Sequence, residues 1–277
     1  MPEIILLQSS HFREVTASFL EKSGINVTKP DFVKLQTILA AFSKIPYENV
    51  SKIIRYNSMI STKQEVFRLP DMLWHDYQRY SLGGTCFSLT YFLQTILENC
   101  GYHCYPVSAD MKWGKHVHCA IVVCLEGQNW LCDPGYLLHE PLLLDNMERK
   151  IYRTETQGVM ISYDLNRYNL ATFQGNQINW RYSFNDIPCE QSEFVKWWLQ
   201  SFGEPTMKGI CLTRQEKHGM IYVHNNYFRE VNAMGIKKRR VEQNWIGNIV
   251  DIFGIPADML QDAYEITRKY RSSNETR

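Results

Sequence analysis

The sequence predicts an α+β chain: a bundle of helices first, an antiparallel β-barrel or curled sheet next, and a closing segment of strands and helices. Three observations predict it. Up to about residue 100 the apolar residues recur with helical spacing. From 105 to about 184 they form short runs, rich in aromatic residues and separated by turn signals. Beyond that, two strand-like runs sit among helical stripes.

The elements follow in order. Phe12, Val15, Phe19 and Leu20 make one apolar stripe and Phe32, Leu35, Ile38, Leu39 and Phe42 another, with Gly24 and Pro30 punctuating between them. A third helix is expected over 71–80, and a fourth opens at Cys86 and runs through Phe87, Leu89, Phe92, Leu93, Ile96 and Leu97. Next, the apolar run 119–125 reads as a buried strand, 126–129 as a hairpin turn, and 130–133 as a second strand that ends on Asp133 at the Pro134-Gly135 break. Runs at 151–153, 159–163 and 180–184 continue the barrel. A helix over 193–200 with Phe194, Val195, Trp197 and Trp198 leads to strands at 209–213 and 219–223 and to helices at 244–253 and 257–270. No internal repeat or low-complexity segment interrupts the series.

Composition narrows the function. The chain has 277 residues, 44% of them hydrophobic, enough for a sizeable core. Thirty basic residues against twenty-nine acidic ones give a net charge of +1, so no global field recruits nucleic acid or an anionic membrane. Ile4-Ile5-Leu6-Leu7 is too short for a signal-peptide core and lacks a basic leader, and no later stretch approaches a membrane-spanning length; a soluble, cytoplasmic protein is expected. The eight cysteines form no disulfide framework, and most read as buried free thiols. His116, His118, Cys119, Cys124 and Cys132 lack paired Cys-x-x-Cys spacing and alternate across strand faces, so no metal site is expected.

The chemical signal is Cys86, placed at a helix start by Gly83-Gly84-Thr85. Unpaired N–H groups and the partial positive charge there favour a thiolate. A thiolate used for acyl chemistry needs a histidine, and the histidine an orienting carboxylate. The hairpin supplies both, because its far ends bring a histidine of His116-Val117-His118 next to Asp133.

Together these motifs resemble the arylamine N-acetyltransferase family. Ile45-Pro46-Tyr47-Glu48-Asn49-Val50 is similar to its IPFEN signature, Gly83-Gly84-Thr85-Cys86 to its RGG-x-C motif, and the fifteen-residue separation of His118 and Asp133 to its histidine–aspartate spacing. Further echoes are Pro141-Leu142-Leu143-Leu144, Trp197-Trp198, Cys211-Leu212-Thr213-Arg214 and Ile252-Phe253-Gly254-Ile255. The resemblance implies a helical domain over 1–101 carrying the cysteine, a barrel over 102–190 carrying the histidine and aspartate, a linking helix at 191–205 and an α/β lid over 206–277. It implies a ping-pong acyltransferase with Cys86 as nucleophile, His118 as base and Asp133 as its orienting acid. Acetyl-CoA or another acyl-CoA would be co-substrate rather than bound cofactor, and a small amine or hydroxylamine the acceptor. Tyr47, Phe87, Val117, Tyr136 and Leu137 are the implied substrate contacts, with the N–H groups of Cys86 and Val117 as oxyanion donors.

The chain also departs from the family pattern. Leu82 replaces its arginine and Thr90 an asparagine, which predicts weaker polar support beneath the nucleophile. Pro134 and Tyr136 alter the aspartate motif, and Leu137 replaces a glycine, which predicts a narrowed acceptor pocket. The stretch from Asn49 to Cys86 is longer than usual and that from Cys86 to His118 shorter. Glu48 and Asn49 are read as bridging the helical domain to the barrel, and Lys237-Lys238-Arg239-Arg240 as a solvated hairpin or loop rather than a phosphate grip. The same triad serves an amide synthase fed by a carrier-protein thioester, or a hydrolase or transglutaminase; the altered residues also suit a silent binding homologue.

Overall fold

In the computed structural model the described residues are 7–58, 66–146, 149–153, 158–174, 177–217, 219–232 and 234–275; Ile4, Ile5 and Leu6 of the N-terminal apolar stretch fall outside them. The N-terminal part contributes helices α1 (Arg13–Lys22), α2 (Phe32–Phe42), α3 (Val50–Ser58), α4 (Pro70–Tyr80) and α5 (Cys86–Asn99), with a two-residue strand β1 (Tyr47–Glu48) between α2 and α3. Local chemistry sets their ends. Asp31 caps α2 by accepting from the Lys34 N–H at 2.7 Å, Pro70 occupies the first turn of α4, and Ser81 ends α4 in a left-handed conformation. Helix α5 is buried on nearly every side, from Cys86 through Leu97. Its Leu89, Phe92, Leu93 and Leu97 join Phe19, Leu35, Ile38 and Phe42 in the first core.

The barrel is an eight-stranded antiparallel sheet in the order β5-β4-β3-β2-β9-β8-β7-β6. Its strands are β2 (His103–Met111), β3 (Gly114–Leu125), β4 (Gln128–Cys132), β5 (Leu142–Leu144), β6 (Lys150–Arg153), β7 (Gly158–Asp164), β8 (Arg167–Gln174) and β9 (Gln177–Phe184). The predicted hairpin is β3–β4. Its two-residue turn, Glu126-Gly127, has both residues at positive φ, 53° and 75°, which matches the twist of the flanking strands. Leu170, Tyr182, Phe184 and Val107 fill the interior.

Helix α6 (Gln191–Gln200) leads to a second sheet, ordered β1-β10-β11-β12-β13, of β10 (Cys211–Glu216), β11 (Gly219–His224), β12 (Tyr227–Asn232) and β13 (Gly235–Arg240). Helices α7 (Trp245–Phe253) and α8 (Ala257–Glu275) cover one face, burying Leu212, Val223 and Phe228 with Ile249, Phe253 and Leu260.

Lys237 to Arg240 form the outer strand of the β12–β13 hairpin, mostly exposed, in keeping with the solvated hairpin expected; Arg239 turns to the covered face, near Asn248 at 3.1 Å and Glu230 at 3.5 Å. One expectation is corrected here. Asn49 ties the helices to the second sheet rather than to the barrel. It donates to the carbonyls of Thr206 and Gly209, both at 2.7 Å, and accepts from the Cys211 N–H at 2.8 Å. Strand β1 reinforces that tie through Tyr47↔Thr213 and Glu48↔Leu212. Helix α3 forms although Val50, Ile53 and Ile54 are poor helix formers, because Val50 and Ile53 bury their side chains in the core beneath the second sheet.

Candidate active site

Two of the sequence motifs explain each other. A Cβ on Gly83 would stand 1.7 Å from the Pro46 carbonyl oxygen, and one on Gly84 2.3 Å from Ser88 Oγ, so only glycine lets this loop lie against the 45–49 strand. The contact is hydrogen-bonded in both directions: Gly84 N–H donates to Pro46 at 3.3 Å, and Glu48 N–H donates to Gly84 at 2.9 Å. The loop thereby delivers Cys86 to the first position of α5, where its own N–H has no acceptor within the helix.

Polar support under this loop comes from Arg68, which corrects the expectation drawn from Leu82. Its guanidinium, 5% exposed, reaches Glu48 Oε1 at 3.2 Å, Ser51 Oγ at 2.6 Å, Asp76 Oδ2 at 2.8 Å and the Gly83 carbonyl. Arg68 comes from the stretch between Asn49 and Cys86. Leu82 is buried in the core beneath the second sheet instead. Thr90 also gives support: its hydroxyl donates to the Cys119 carbonyl at 3.3 Å and lies 3.4 Å from the Cys119 sulfur, joining α5 to the strand that carries His118.

His118 and Asp133 meet across the hairpin as predicted, with Nε2 2.9 Å from Oδ2. Nδ1 is the ring nitrogen left for the sulfur. Asp133 is fully buried, and every bond it accepts orients it. Oδ1 takes the N–H groups of Gly135 at 2.9 Å and Tyr136 at 3.1 Å, while Oδ2 also takes the Tyr182 hydroxyl at 2.6 Å. Tyr182, whose ring lies 4.7 Å from that of His118, went unassigned from sequence. Only the β2–β9 pairing, in which Met111 faces Tyr182, brings it across the barrel.

The electrostatics favour a separated proton. Burial pulls His118 down, but the Asp133 carboxylate and the neighbouring sulfur outweigh it and push the imidazole up to about 10. Cys86 is held well below the ordinary thiol value by the thiol of Cys119, against burial, and by His118. Cys119 is pushed up, by burial and then by Cys86, so it stays protonated. His116, by contrast, sits in a bulge at φ 57°, bonded through Nδ1 to Ser108 Oγ at 2.9 Å and stacked 4.1 Å from Trp197. Trp197 and Trp198 divide the work: Trp198 packs on Phe67 at 4.6 Å.

A cavity of about 510 Å³ opens on the sulfur between helices, barrel and second sheet. Tyr47, Val117 and Tyr136 line it together with Cys86 and His118, and Tyr222, Tyr227 and Arg229 wall it from the second sheet. Burial pushes the phenols of Tyr47, Tyr136 and Tyr222 up, so each keeps its proton. Two expected contacts do not reach it. Phe87 is fully buried against Phe194, 5.4 Å edge-on. Leu137 is 1% exposed at φ 53°, a conformation that suits the glycine it replaces, and it is absent from the cavity wall, so it does not narrow the pocket as expected. Its carbonyl instead accepts from Gln215 Nε2 at 3.0 Å. Among the described residues there is no cluster of three or more His, Cys, Asp or Glu able to hold a metal, and no helix long and apolar enough to cross a membrane.

Comparison with known proteins agrees with this architecture. The sequence model of an N-acetyltransferase family matches residues 31–260. Among solved structures, the arylamine N-acetyltransferase from Mycobacterium abscessus superposes with a TM-score of 0.77 at 16% identity, covering 94% of this chain and 99% of that one. The enzyme from Salmonella typhimurium gives 0.74 at 16%, covering 90% and 97%, and that from Mycobacterium marinum in complex with CoA gives 0.75 at 15%, covering 92% and 98%. At such identities the likeness carries the fold. No curated protein sequence matches significantly.

Proposed function

The chain belongs to the arylamine N-acetyltransferase family, and we propose that it moves an acyl group from a CoA thioester to an amine or hydroxylamine through an acyl-enzyme on Cys86. The observation that carries this reading is the bonded order Tyr182–Asp133–His118 ending on a sulfur whose surroundings favour the thiolate.

In the first half-reaction the Cys86 thiolate attacks the thioester carbonyl, and the carbonyl π electrons move onto oxygen. The N–H groups of Cys86 and Val117 are the donors to that oxyanion, each worth about 3 kcal/mol when aimed at it. Collapse breaks the bond to the CoA sulfur, which leaves with the proton from His118 Nδ1. In the second half-reaction the acceptor nitrogen attacks the acyl-enzyme, His118 takes the nitrogen's proton, and Cys86 departs as a thiolate. Asp133 keeps Nε2–H pointed away from the sulfur throughout and stabilises the imidazolium. The aromatic walls at Tyr47, Tyr136 and Tyr222 suit the ring of an arylamine, in a volume within the usual range for small-molecule sites. The CoA complex of the Mycobacterium marinum enzyme supports CoA as the carrier. Eight unpaired cysteines suit a reducing, cytoplasmic compartment.

The test is acylation in the absence of acceptor. Acetyl-CoA is expected to add one acyl group to the wild-type protein, on Cys86, and an arylamine to remove it as the amide. Release to water at the same rate without any amine would instead mark a hydrolase.

A further inference from the structure

One buried charge in the cavity wall has no part in the scheme above. Lys52, on α3, is 6% exposed, although lysine is seldom buried without a charged partner. Its Nζ donates to the Ser201 carbonyl at 2.9 Å and to Ser201 Oγ at 2.7 Å, and stands 4.5 Å above the ring of Phe202. None of these carries a charge. An ammonium has three N–H groups, so two are tethered and one is left over on a side chain that shares the cavity with Cys86. The groups with charge or protons to exchange that face it are Cys86 from α5, Cys119 from β3, Glu204 from the turn before β10, and Arg68 across a small recess. Desolvation pulls the amine down to about 8, and the negative field of Cys86, ahead of that of Glu204, works against this.

We propose that Lys52 is a positioning residue for the nucleophile: its ammonium, anchored by Ser201 and Phe202 in the wall of the cavity that Cys86 also lines, helps hold the resting sulfur as a thiolate. The inference rests on the reading of Cys86 as the attacking thiol. A fixed positive charge near an anion stabilises it more strongly in a low-dielectric wall than in water, and the tether keeps that charge from swinging out to solvent. His118 gives the sulfur its proton partner; Lys52 contributes field alone, which also persists when the imidazole has passed its proton on. The same tether explains why burial is tolerated, since two good acceptors replace most of the lost hydration.

The experiment is a thiolate titration by ultraviolet absorbance, with Cys86→Ala subtracted to remove the other seven thiols. Lys52→Met is expected to lower the thiolate-to-thiol ratio of Cys86 about tenfold at a fixed pH within the transition, one pKa unit, and Lys52→Arg to restore most of it. Because Lys52→Met also unmakes the bonds to Ser201, a second measurement leaves the lysine in place. Coupling is reciprocal, so Cys86→Ala should lower the midpoint for acetic anhydride labelling of Lys52, read by peptide mass spectrometry, by a similar factor. Unchanged midpoints in both titrations overturn the proposal. Neither measurement uses a CoA thioester, so an enzyme that passes both and still forms no acyl adduct with one contradicts the transferase reading and leaves this one standing.

Discussion

A methyl group on Gly135 would stand 2.8 Å from Cε1 of His118. The same added atom would lie 3.1 Å from Cys86 Cβ and 3.3 Å from Asp133 Oδ1, so one backbone position abuts all three side chains of the proposed triad. Gly135→Ala must therefore move at least one of them. The expected result is a loss of at least about 100-fold in acyl transfer with a stability cost of about 1–3 kcal/mol, the range for overpacking. Steady-state rates and a denaturant melt on the same preparation check both.

Tyr182 bonds the carboxylate oxygen that also takes His118. Tyr182→Phe keeps the ring in the barrel core and removes only the hydroxyl. A net hydrogen bond of this kind contributes about 1–3 kcal/mol when its acceptor is charged, and the substitution should cost that much stability. It should also slow transfer without raising the KM for acceptor, since the hydroxyl lies behind the carboxylate. A changed KM with an unchanged kcat would place Tyr182 at the substrate instead.

Arg68 is buried with Glu48, and Arg68→Ala leaves that carboxylate without its counter-ion. Removing one partner of a buried pair typically costs about 3–5 kcal/mol. Urea unfolding is expected to show that loss, with Glu48→Gln in the same background recovering part of it. Two additive losses would mean the pair is not coupled.

The proton shared between Cys86 and His118 predicts an unusual pH response. His118 is raised from 6.5 to about 10 in the folded protein, so its contribution is complete below pH 6.5 and is lost as pH rises through about 10. Cys86 is lowered from 9.0, so its contribution is complete above pH 9 and is lost as pH falls through the lowered value. Between 6.5 and 9 the folded pair holds one proton on imidazole and the unfolded pair one on sulfur, so this pair adds no slope to stability there. Cys86→Ala removes the unfolded chain's compensating proton, and stability should then fall with rising pH across the same window. The difference in melting temperature between wild type and Cys86→Ala is thus expected to widen with pH; a constant difference would rule out the shared proton.

What could be read in advance was local or periodic. Cys86 at the start of α5 and the His118–Asp133 approach follow from one helix start and one hairpin, each set within a few residues. Tyr182 and Arg68 could not be found that way. Tyr182 reaches Asp133 from 49 positions away through the closing of the barrel, and Arg68 takes up a supporting position that the motif assigns to residue 82. Lys52 looks like an ordinary helix surface residue until Ser201, 149 positions on, folds over it. Strands β12 and β13 escaped because Arg229, Glu230, Lys237 and Lys238 obscure the apolar alternation. Motif position puts Phe87 and Leu137 at the substrate, whereas helix rotation turns Phe87 toward α6 and the left-handed backbone at 137 takes Leu137 out of the wall.

The most direct test of the central claim is the intact mass of the protein after brief exposure to acetyl-CoA without an amine. A gain of one acetyl group is expected, mapped to Cys86, absent from Cys86→Ala and strongly reduced in His118→Gln, and discharged on adding an arylamine. A folded wild-type protein that takes up no acyl group from any CoA thioester, or takes it up equally well without Cys86, contradicts the claim.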